Sequence, residues 1–364
     1  MTSRELCEIA GRLMRQPAAP YFEDAVRAEA MNICREHGLS HELDQNGNLI
    51  VRLQTARGVR PIALAAHLDH PGFHVQRRKG GGLAVQFHGG VSAAHFRPGL
   101  RIRLIPGAVP ARLGRKLAGD RRFEVAGNVP AGARPQFAVW ELEDFAVRRG
   151  RIVARACDDL GGVAVTLATL VELKRRRAKV NVIGAISRAE EVGFHGALML
   201  AEKRRLPLDT LVISLETSRE LPPTKMGAGV IVRVGDRTSI FDSDATRFLT
   251  EVAAGIQRRD SRFQFQRALM SGGTCEATAY QEYGYQTAAV CVALGNYHNC
   301  APGHRIAAEF VCADDLVGMQ RLLAETARSM PRFDALVAKL PARLRKLARQ
   351  ADRALRGKRR WVTF

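Results

Sequence analysis

Apolar side chains recur at helical spacing near the start of the chain and then give way to short continuous runs. The spacing predicts helices over 4–14 and 22–37, the second ending before Gly38. The runs at 48–53 and 62–66 predict strands. The second run is apolar throughout, which is typical of a strand covered on both faces of a sheet.

Between about 72 and 150 the pattern changes to short alternating runs separated by Gly and Pro, which predicts a small all-β module with tight turns. Strand–helix alternation then resumes. Strands are predicted at 152–156, 180–186, 210–215, 230–234, 262–266 and 287–293, and helices at 160–177, 193–204, 244–257, 274–282 and 314–329. This alternation predicts an α/β fold with a mainly parallel central sheet, interrupted by the β module.

The composition indicates a folded chain with a large core. Of the 364 residues, 46% are hydrophobic, which excludes disorder of the whole chain and allows two domains. The net charge is +20, and residues 331–364 contribute +9 of it. This tail carries an apolar stripe, formed by Leu340, Leu344, Leu347, Ala351 and Leu355. A contact with nucleic acid or another anionic surface stays open, but a solvated helix face is favoured because the tail lacks interleaved aromatic residues.

The N-terminal sequence and the cysteine pattern both bear on the compartment of the protein. Charged residues at positions 4, 5 and 8 interrupt the apolar run that a signal peptide needs, and no stretch is apolar enough to span a membrane. The seven cysteines form no CxxC pair, which favours reduced thiols over a disulfide framework. We therefore expect a cytoplasmic protein.

Side chains that bind metals follow five predicted strands, where ligands collect in open α/β sheets. They are His67 with Asp69, Asp158 with Asp159, Glu190 with Glu191, Glu216, and His298 with His304 six residues further on. Each segment alone has a simpler explanation, such as a structural histidine, a helix N-cap or a solvated turn. Together they predict a metal site, because adjacent carboxylates near a sheet end are costly unless cations neutralise them.

The order of these segments resembles one peptidase family. AHLD, DDLGG, EEVGFHGA, LETS and NYHN are similar to the AHxD, DDRxG, EEVGxRGA, DVT and YxH segments of the M42 aminopeptidases, which include glutamyl aminopeptidases and TET-like enzymes, within the di-zinc M20/M28/M42 clan. Further matches lie at 87–91, 226–229, 235–237 and 272–274, and the resemblance covers about residues 5–330. Departures are Glu216 for Asp, Leu160 for Arg and Cys275 for Asp.

The resemblance implies an α/β fold: a three-layer, phosphorylase/hydrolase-like catalytic domain with a central, mainly parallel sheet, interrupted by a small β-barrel-like domain. The implied parts are residues 1–71 and 151–330 for the catalytic domain, 72–150 for the inserted domain, which serves oligomerisation and substrate access, and 331–364 for the basic helical tail.

The resemblance also implies a set of roles. His67 and Glu216 are ligands of one divalent metal ion, Glu191 and His298 of the other, and Asp158 bridges the two. Glu190 is the general base and Asp69 orients His67. Two zinc ions, or cobalt or manganese in their place, suit these imidazole and carboxylate ligands and can hold a hydroxide that attacks a peptide carbonyl.

We therefore expect an aminopeptidase that removes N-terminal residues from short peptides. The resemblance implies a homo-oligomer, with a dodecamer as the common form among such relatives. No membrane partner is expected, and nucleic acid binding through the tail is the less favoured interpretation. Two alternatives stay open: a hydrolase of another amide, such as a dipeptide or an N-acyl amino acid, and an inactive scaffold that binds nucleic acid through its basic tail.

Overall fold

The computed structural model describes residues 1–79 and 81–356. The helices are α1 Ser3–Met14, α2 Asp24–Glu36, α3 Leu160–Arg175, α4 His195–Glu202, α5 Ser243–Arg259, α6 Glu276–Glu282, α7 Ala313–Ser329, α8 Phe333–Val337 and α9 Lys339–Arg356. The strands are β1 Ser40–Leu43, β2 Leu49–Gln54, β3 Ile62–His67, β4 Gly72–Arg77, β5 Leu83–His88, β6 Arg101–Ile105, β7 Val109–Lys116, β8 Arg122–Ala126, β9 Phe137–Trp140, β10 Ala146–Arg148, β11 Arg151–Ala154, β12 Asn181–Ser187, β13 Leu211–Arg219, β14 Val230–Gly235, β15 Phe265–Leu269, β16 Gln286–Gly295, β17 Cys300–Ala301, β18 Arg305–Ile306 and β19 Glu309–Cys312. Short 3₁₀ turns occupy Ala93–His95, Tyr297–Asn299 and Met330–Arg332.

A large mixed sheet forms the centre of the molecule, in the order β1-β2-β12-β3-β13-β16-β19-β11-β10, with β14 and β15 attached beside β16. The four strands β12, β3, β13 and β16 run parallel, as predicted. The pairs β1–β2, β2–β12, β16–β19, β19–β11, β11–β10 and β14–β16 are antiparallel, whereas β14–β15 is parallel, so the large sheet is mixed around a parallel centre. The reason is partly connection length: the short turns that link β1 to β2 and β10 to β11 can join only antiparallel strands.

Helices cover both faces of this sheet, which gives the predicted three layers. Successive residues of β3 point to opposite faces. Leu64 packs into the larger core with α1, α2, α3, α5 and α7. Ala63 and Ala65 pack into a second core with α4 and α6. Every residue of β3 is buried, and so is almost all of α3, where each enclosed Val or Leu contributes about 1.5–3 kcal/mol. The centre of the sheet is therefore a rigid base for what lies at its end.

The inserted module is a closed barrel of β4-β5-β8-β7-β6-β9, as the β-barrel expectation predicts. Its interior is filled by aromatic residues, among them Phe73, Phe87, Phe123 and Trp140. Closure leaves no unpaired strand edge. The barrel strands end at Trp140, and β10, which lies in the range 72–150, pairs with β11 in the large sheet.

The C-terminal part continues past α7 as α8 and α9. Residues 339–356 form the helix expected in the tail, whereas 357–364 lie outside the described residues. No helix in the described part of the chain has the length and hydropathy needed to cross a membrane. All seven cysteines, each within the described ranges, are free thiols.

Candidate metal centre

The parallel strands bring the predicted chemistry to one edge of the sheet. His67 is the last residue of β3 and pairs in register with Ser187, the last residue of β12. Glu190 and Glu191 follow β12, and Glu216 lies in β13, two residues beyond the Ser214 that pairs with Ala65. Asp158 lies in the turn between β11 and α3, and His298 in the 3₁₀ turn after β16. All seven residues predicted from sequence, Asp69 included, therefore lie at or next to this edge.

Two groups of ligand-type atoms that each contain an imidazole lie there, and a third group without an imidazole consists of Asp158, Asp159 and Glu216. In the first, single atoms of His67, Glu190 and Glu216 lie within 4.8 Å of one another. In the second, the same holds for Asp158, Glu191 and His298, and Nε2 of His298 lies 3.1 Å from Oε1 of Glu191. Each of these two groups contains an imidazole and carboxylates, which is a donor set that zinc and similar divalent ions accept.

Asp158, a member of the second group, also lies close to the imidazole of the first. Its Oδ1 is 3.7 Å from Nε2 of His67, and its Oδ2 is 3.6 Å from Nε2 of His298. The side chain is only 3% exposed. One carboxylate thus presents an oxygen to each imidazole, which is the arrangement that a bridging ligand needs.

Both imidazoles have the tautomer that a metal ligand requires. Nδ1 of His67 donates a hydrogen bond to the backbone oxygen of Asp69 at 3.1 Å, and Nδ1 of His298 donates to the backbone oxygen of Gly90 at 3.0 Å. A carbonyl oxygen can only accept, so in each neutral ring the proton is on Nδ1. The lone pair of Nε2 therefore faces the carboxylates.

Several buried carboxylate oxygens here lack a hydrogen-bond partner among residues 1–79 and 81–356: Asp158 Oδ1, Asp159 Oδ2, Glu191 Oε1 and Glu276 Oε2. A buried anionic oxygen without a partner is costly. Divalent cations between the two imidazoles would satisfy the oxygens of Asp158 and Glu191, so the residues present fit a two-metal centre.

Electrostatics support this interpretation. Burial, reinforced by the charge of Asp158, raises the pKa of Glu216 to about 8. Burial also raises the pKa of Glu190 well above its ordinary value, although His67 opposes the shift. By contrast, burial of Asp158 is outweighed by its interaction with the imidazoles of His298 and His67, which lowers the pKa of Asp158. Without cations, this cluster therefore holds protons on some of its carboxyl groups near neutral pH.

Asp69 positions more than the imidazole. Its Oδ1 accepts the backbone N–H of Glu190 at 2.9 Å, and its Oδ2 accepts that of Glu191 at 3.1 Å. The carboxylate is 3.5 Å from Nδ1 of His67, whereas the backbone oxygen of the same residue is closer. Asp69 therefore fixes the Glu190–Glu191 peptide, and its main chain holds His67.

Asp158 and Asp159 have different environments. Oδ1 of Asp159 accepts the backbone N–H of Gly162 at 3.1 Å and caps α3. Asp158, its neighbour, faces the imidazoles. The N-cap interpretation of the pair is thus correct for one member only.

Sequence reasoning missed Glu309, which joins two ligand segments. Its Oε2 accepts the backbone N–H groups of Cys157 and Asp158, at 2.7 and 3.1 Å, and its Oε1 accepts that of His298 at 2.7 Å. The residue is completely buried, and burial raises its pKa to about 7. The available signal is a single Glu at the start of the otherwise apolar run of β19.

His70 and Asn299 were also missed. The ring of His70 bridges the backbone oxygen of Asp158, at 2.8 Å, and Oδ1 of Asn299, at 3.0 Å. Asn299 in turn donates to the backbone oxygen of Arg155. These contacts fix the turn that carries Asp158 from the side opposite the cluster. His304, in contrast, is exposed and belongs to neither ligand group.

A second pocket adjoins the cluster. The cleft over the imidazoles has a volume of about 230 Å³, and its lining includes Glu216, Gly273, Thr274 and Tyr297. These four residues also line the second pocket, a smaller one of about 40 Å³, with Arg233. Nε of Arg233 is buried and has no hydrogen-bond partner among the described residues.

All three departures from the family pattern are buried. Cys275 is buried in an apolar cluster with Phe241, Ala277 and Ala289, and Leu160 is buried at the start of α3. Glu216 reaches the ligand cluster despite its longer arm.

Comparison with known proteins agrees with this geometry. The family model described as M42 glutamyl aminopeptidase matches residues 133–308, a range that contains Asp158, Glu190, Glu191, Glu216 and His298. No curated protein sequence matches the chain.

Solved structures share the fold. An aminopeptidase from Desulfurococcus kamchatkensis has a TM-score of 0.74 at 21% identity, covering 92% of this chain and 98% of its own. The TET1 peptidase of Pyrococcus horikoshii, described as assembling into a tetrahedron or a large octahedral shell, has a TM-score of 0.74 at 21% identity, covering 88% and 99%. A TET aminopeptidase from a marine-sediment Thaumarchaeota archaeon has a TM-score of 0.75 at 21% identity, covering 91% and 99%. The match to the M42 family model and the fold shared with these aminopeptidases agree with the resemblance to M42 aminopeptidases seen in the five motifs.

Proposed function

We propose that this chain is a two-metal aminopeptidase that removes N-terminal residues from short peptides. The observation that carries the proposal is the position of Asp158, with one oxygen toward each of two imidazoles whose Nε2 atoms are free to bind a metal ion. The matches to an aminopeptidase family and to aminopeptidase folds support the reaction class.

The proposed ligand roles are those that the resemblance implies, and the groups of ligand-type atoms support them. His67 and Glu216 would hold one ion, Glu191 and His298 the other, and Asp158 both. Two divalent ions in these positions would polarise the peptide carbonyl and acidify a water molecule between them. Zinc suits the donor set, with cobalt or manganese as substitutes.

Glu190 is the general base in this proposal. Its Oε2 lies 3.8 Å from Nε2 of His67, close enough for both side chains to bind the same metal ion. Catalytic zinc sites commonly have three protein ligands and one open position. His67, Glu216 and Asp158 already supply three, so Glu190 is left to exchange a proton with the attacking water and the leaving amine. Its raised pKa suits this task near neutral pH.

The test is release of N-terminal residues from matched free and N-acetylated peptides, after metal loading, with the metal content of each sample measured. We expect activity on free peptides only. Activity on acetylated peptides would indicate a hydrolase of another amide, and no activity with both ions bound would indicate a scaffold.

We further propose that the pocket beside the cluster accepts an acidic N-terminal side chain. Arg233 supplies a buried cation there, with an unpartnered Nε, and position 275 holds a thiol where the family pattern has a carboxylate. The description of the matching family model, glutamyl aminopeptidase, agrees with this selectivity.

Arg233→Met tests the selectivity. Loss of one charge-assisted contact should lower kcat/KM for N-terminal Glu peptides by about 10- to 100-fold and leave Leu or Ala peptides nearly unchanged. An equal loss on all substrates would instead mean that Arg233 only neutralises Glu216.

A homo-oligomer is also part of the proposal, because the Pyrococcus horikoshii relative assembles into closed shells. Light scattering on the purified chain measures this directly, and a monomeric mass would contradict it without affecting the chemistry.

A further inference from the structure

Helix α9 has sharply separated faces. At 100° per residue, seven of its apolar side chains occupy an arc about 120° wide. They are Leu340, Leu344, Leu347, Ala348, Ala351, Ala354 and Leu355. The cations Lys339, Arg343, Arg345, Lys346, Arg349 and Arg353 occupy the opposite arc.

The apolar face of α9 points into solvent. Leu344 is 52% exposed, Leu347 50% and Leu355 85%. The helix starts against the body of the protein, where Nζ of Lys339 lies 2.7 Å from Glu251 of α5, and its neighbouring element is α8. A leucine stripe of this kind on an exposed helix is unfavourable in water and indicates an interaction surface.

Charge decides between the kinds of partner. The chain carries +20, so a second copy would bring like charge toward the cations of α9. An anionic partner is favoured. Nucleic acid would contact the cations but leave the leucines in water, whereas an anionic bilayer accommodates the leucines among its acyl chains and the cations at its phosphates.

We propose that α9 lies in the headgroup region of an anionic lipid bilayer and holds the protein at the membrane surface. This differs from the expectation of no membrane partner, which rests on the lack of a spanning segment. An amphipathic helix lying in the interface needs no such segment. The proposal is independent of the peptidase chemistry.

Co-sedimentation of the full chain with vesicles tests it. We expect binding to phosphatidylcholine vesicles that contain phosphatidylglycerol, weak binding without it, and release as salt rises. Leu344→Gln combined with Leu347→Gln should weaken binding at least about tenfold, because two leucines no longer enter the bilayer. Ala342→Gln, on the cationic face, is the matched control and should bind like the parent.

Each other outcome contradicts the proposal. No binding to the anionic vesicles would overturn it, as would binding that the leucine substitutions leave unchanged. Tight binding to duplex DNA or RNA without vesicle binding would assign the surface to nucleic acid. A smaller oligomer in the leucine variant, again without vesicle binding, would assign it to a second copy. Circular dichroism and unchanged peptidase activity establish that the variant is folded.

Discussion

The candidate metal centre and helix α9 both contain many charged residues, but these residues are mostly buried at the centre and exposed on α9. At the centre, Asp158 and His298 are buried, and backbone groups or carboxylates fix each ligand segment. Along α9 the cations are exposed and lie on one face of a helix with few neighbours. Buried charge acts through individual atoms, since the loss of one partner leaves a costly group behind. Exposed charge acts collectively and is screened by salt.

The largest effect on activity should come from a single substitution at the candidate metal centre. Glu190→Gln removes the proposed proton acceptor and should lower kcat by about 10²–10⁴-fold, measured on a free peptide at saturating metal. Glu202→Gln, the same change on the exposed side of α4, should leave kcat unchanged. A Glu190→Gln enzyme with parental kcat would show that another group takes the proton.

Depleting the metal should make stability depend on pH. The pKa of Glu216 rises to about 8 in the folded chain. At pH values between 4.5, the ordinary pKa of a glutamate, and 8, the native state therefore binds more protons than the unfolded state. The stabilising contribution is therefore complete at low pH and is lost as pH rises, by about 2 kcal/mol between pH 6 and 8. Denaturant unfolding of chelator-treated protein measures this. Glu216→Gln should flatten the dependence, and an unchanged slope in that variant would assign it to other groups.

Glu309→Gln tests the connection between ligand segments. An amide has one accepting oxygen, so it cannot accept from Cys157, Asp158 and His298 together. Zinc affinity should fall by about 10–100-fold, measured by competition with a chelator. Glu325→Gln, on α7, serves as control. Parental zinc affinity in a folded Glu309→Gln protein would reduce Glu309 to a structural role.

The smallest effect should come from a single charge on α9. Arg345→Gln should change the free energy of unfolding by less than about 0.5 kcal/mol and leave kcat unaltered. A larger loss of stability in denaturant unfolding would mean that α9 is packed more firmly than its exposure indicates.

The fold was predictable where an apolar pattern extended over several helical turns and where strands were buried. The segments 160–177 and 62–66 correspond to α3 and β3 because a continuous apolar pattern leaves few alternatives. Short edge elements were missed: β1 and β10 carry exposed residues and give no apolar signal. The strand expected at 262–266 lies instead at Phe265–Leu269, since β15 is only partly buried and its ends depend on pairing with β14.

The residues of the candidate site also divide into those that the sequence could predict and those that it could not. His67, Glu190 and Asp158 follow strands whose ends a pattern can locate, so their meeting could be expected. Glu309 could not be assigned, because its partners are backbone N–H groups at positions 157, 158 and 298 that come together only in the folded chain. Sequence could not decide whether Asp158 or Asp159 caps α3 either, because the answer depends on the direction in which each side chain points.

The hydrogen bond from His298 to Gly90 has a consequence for engineering. The acceptor is a main-chain oxygen at the base of the inserted barrel. Substituting alanine at position 90 would leave the acceptor in place, because a Cβ there meets the His298 ring at 3.5 Å, an ordinary contact distance. Exchanging the barrel for that of a relative, or altering the length of the loop after β5, would displace the oxygen itself and release an imidazole of the centre.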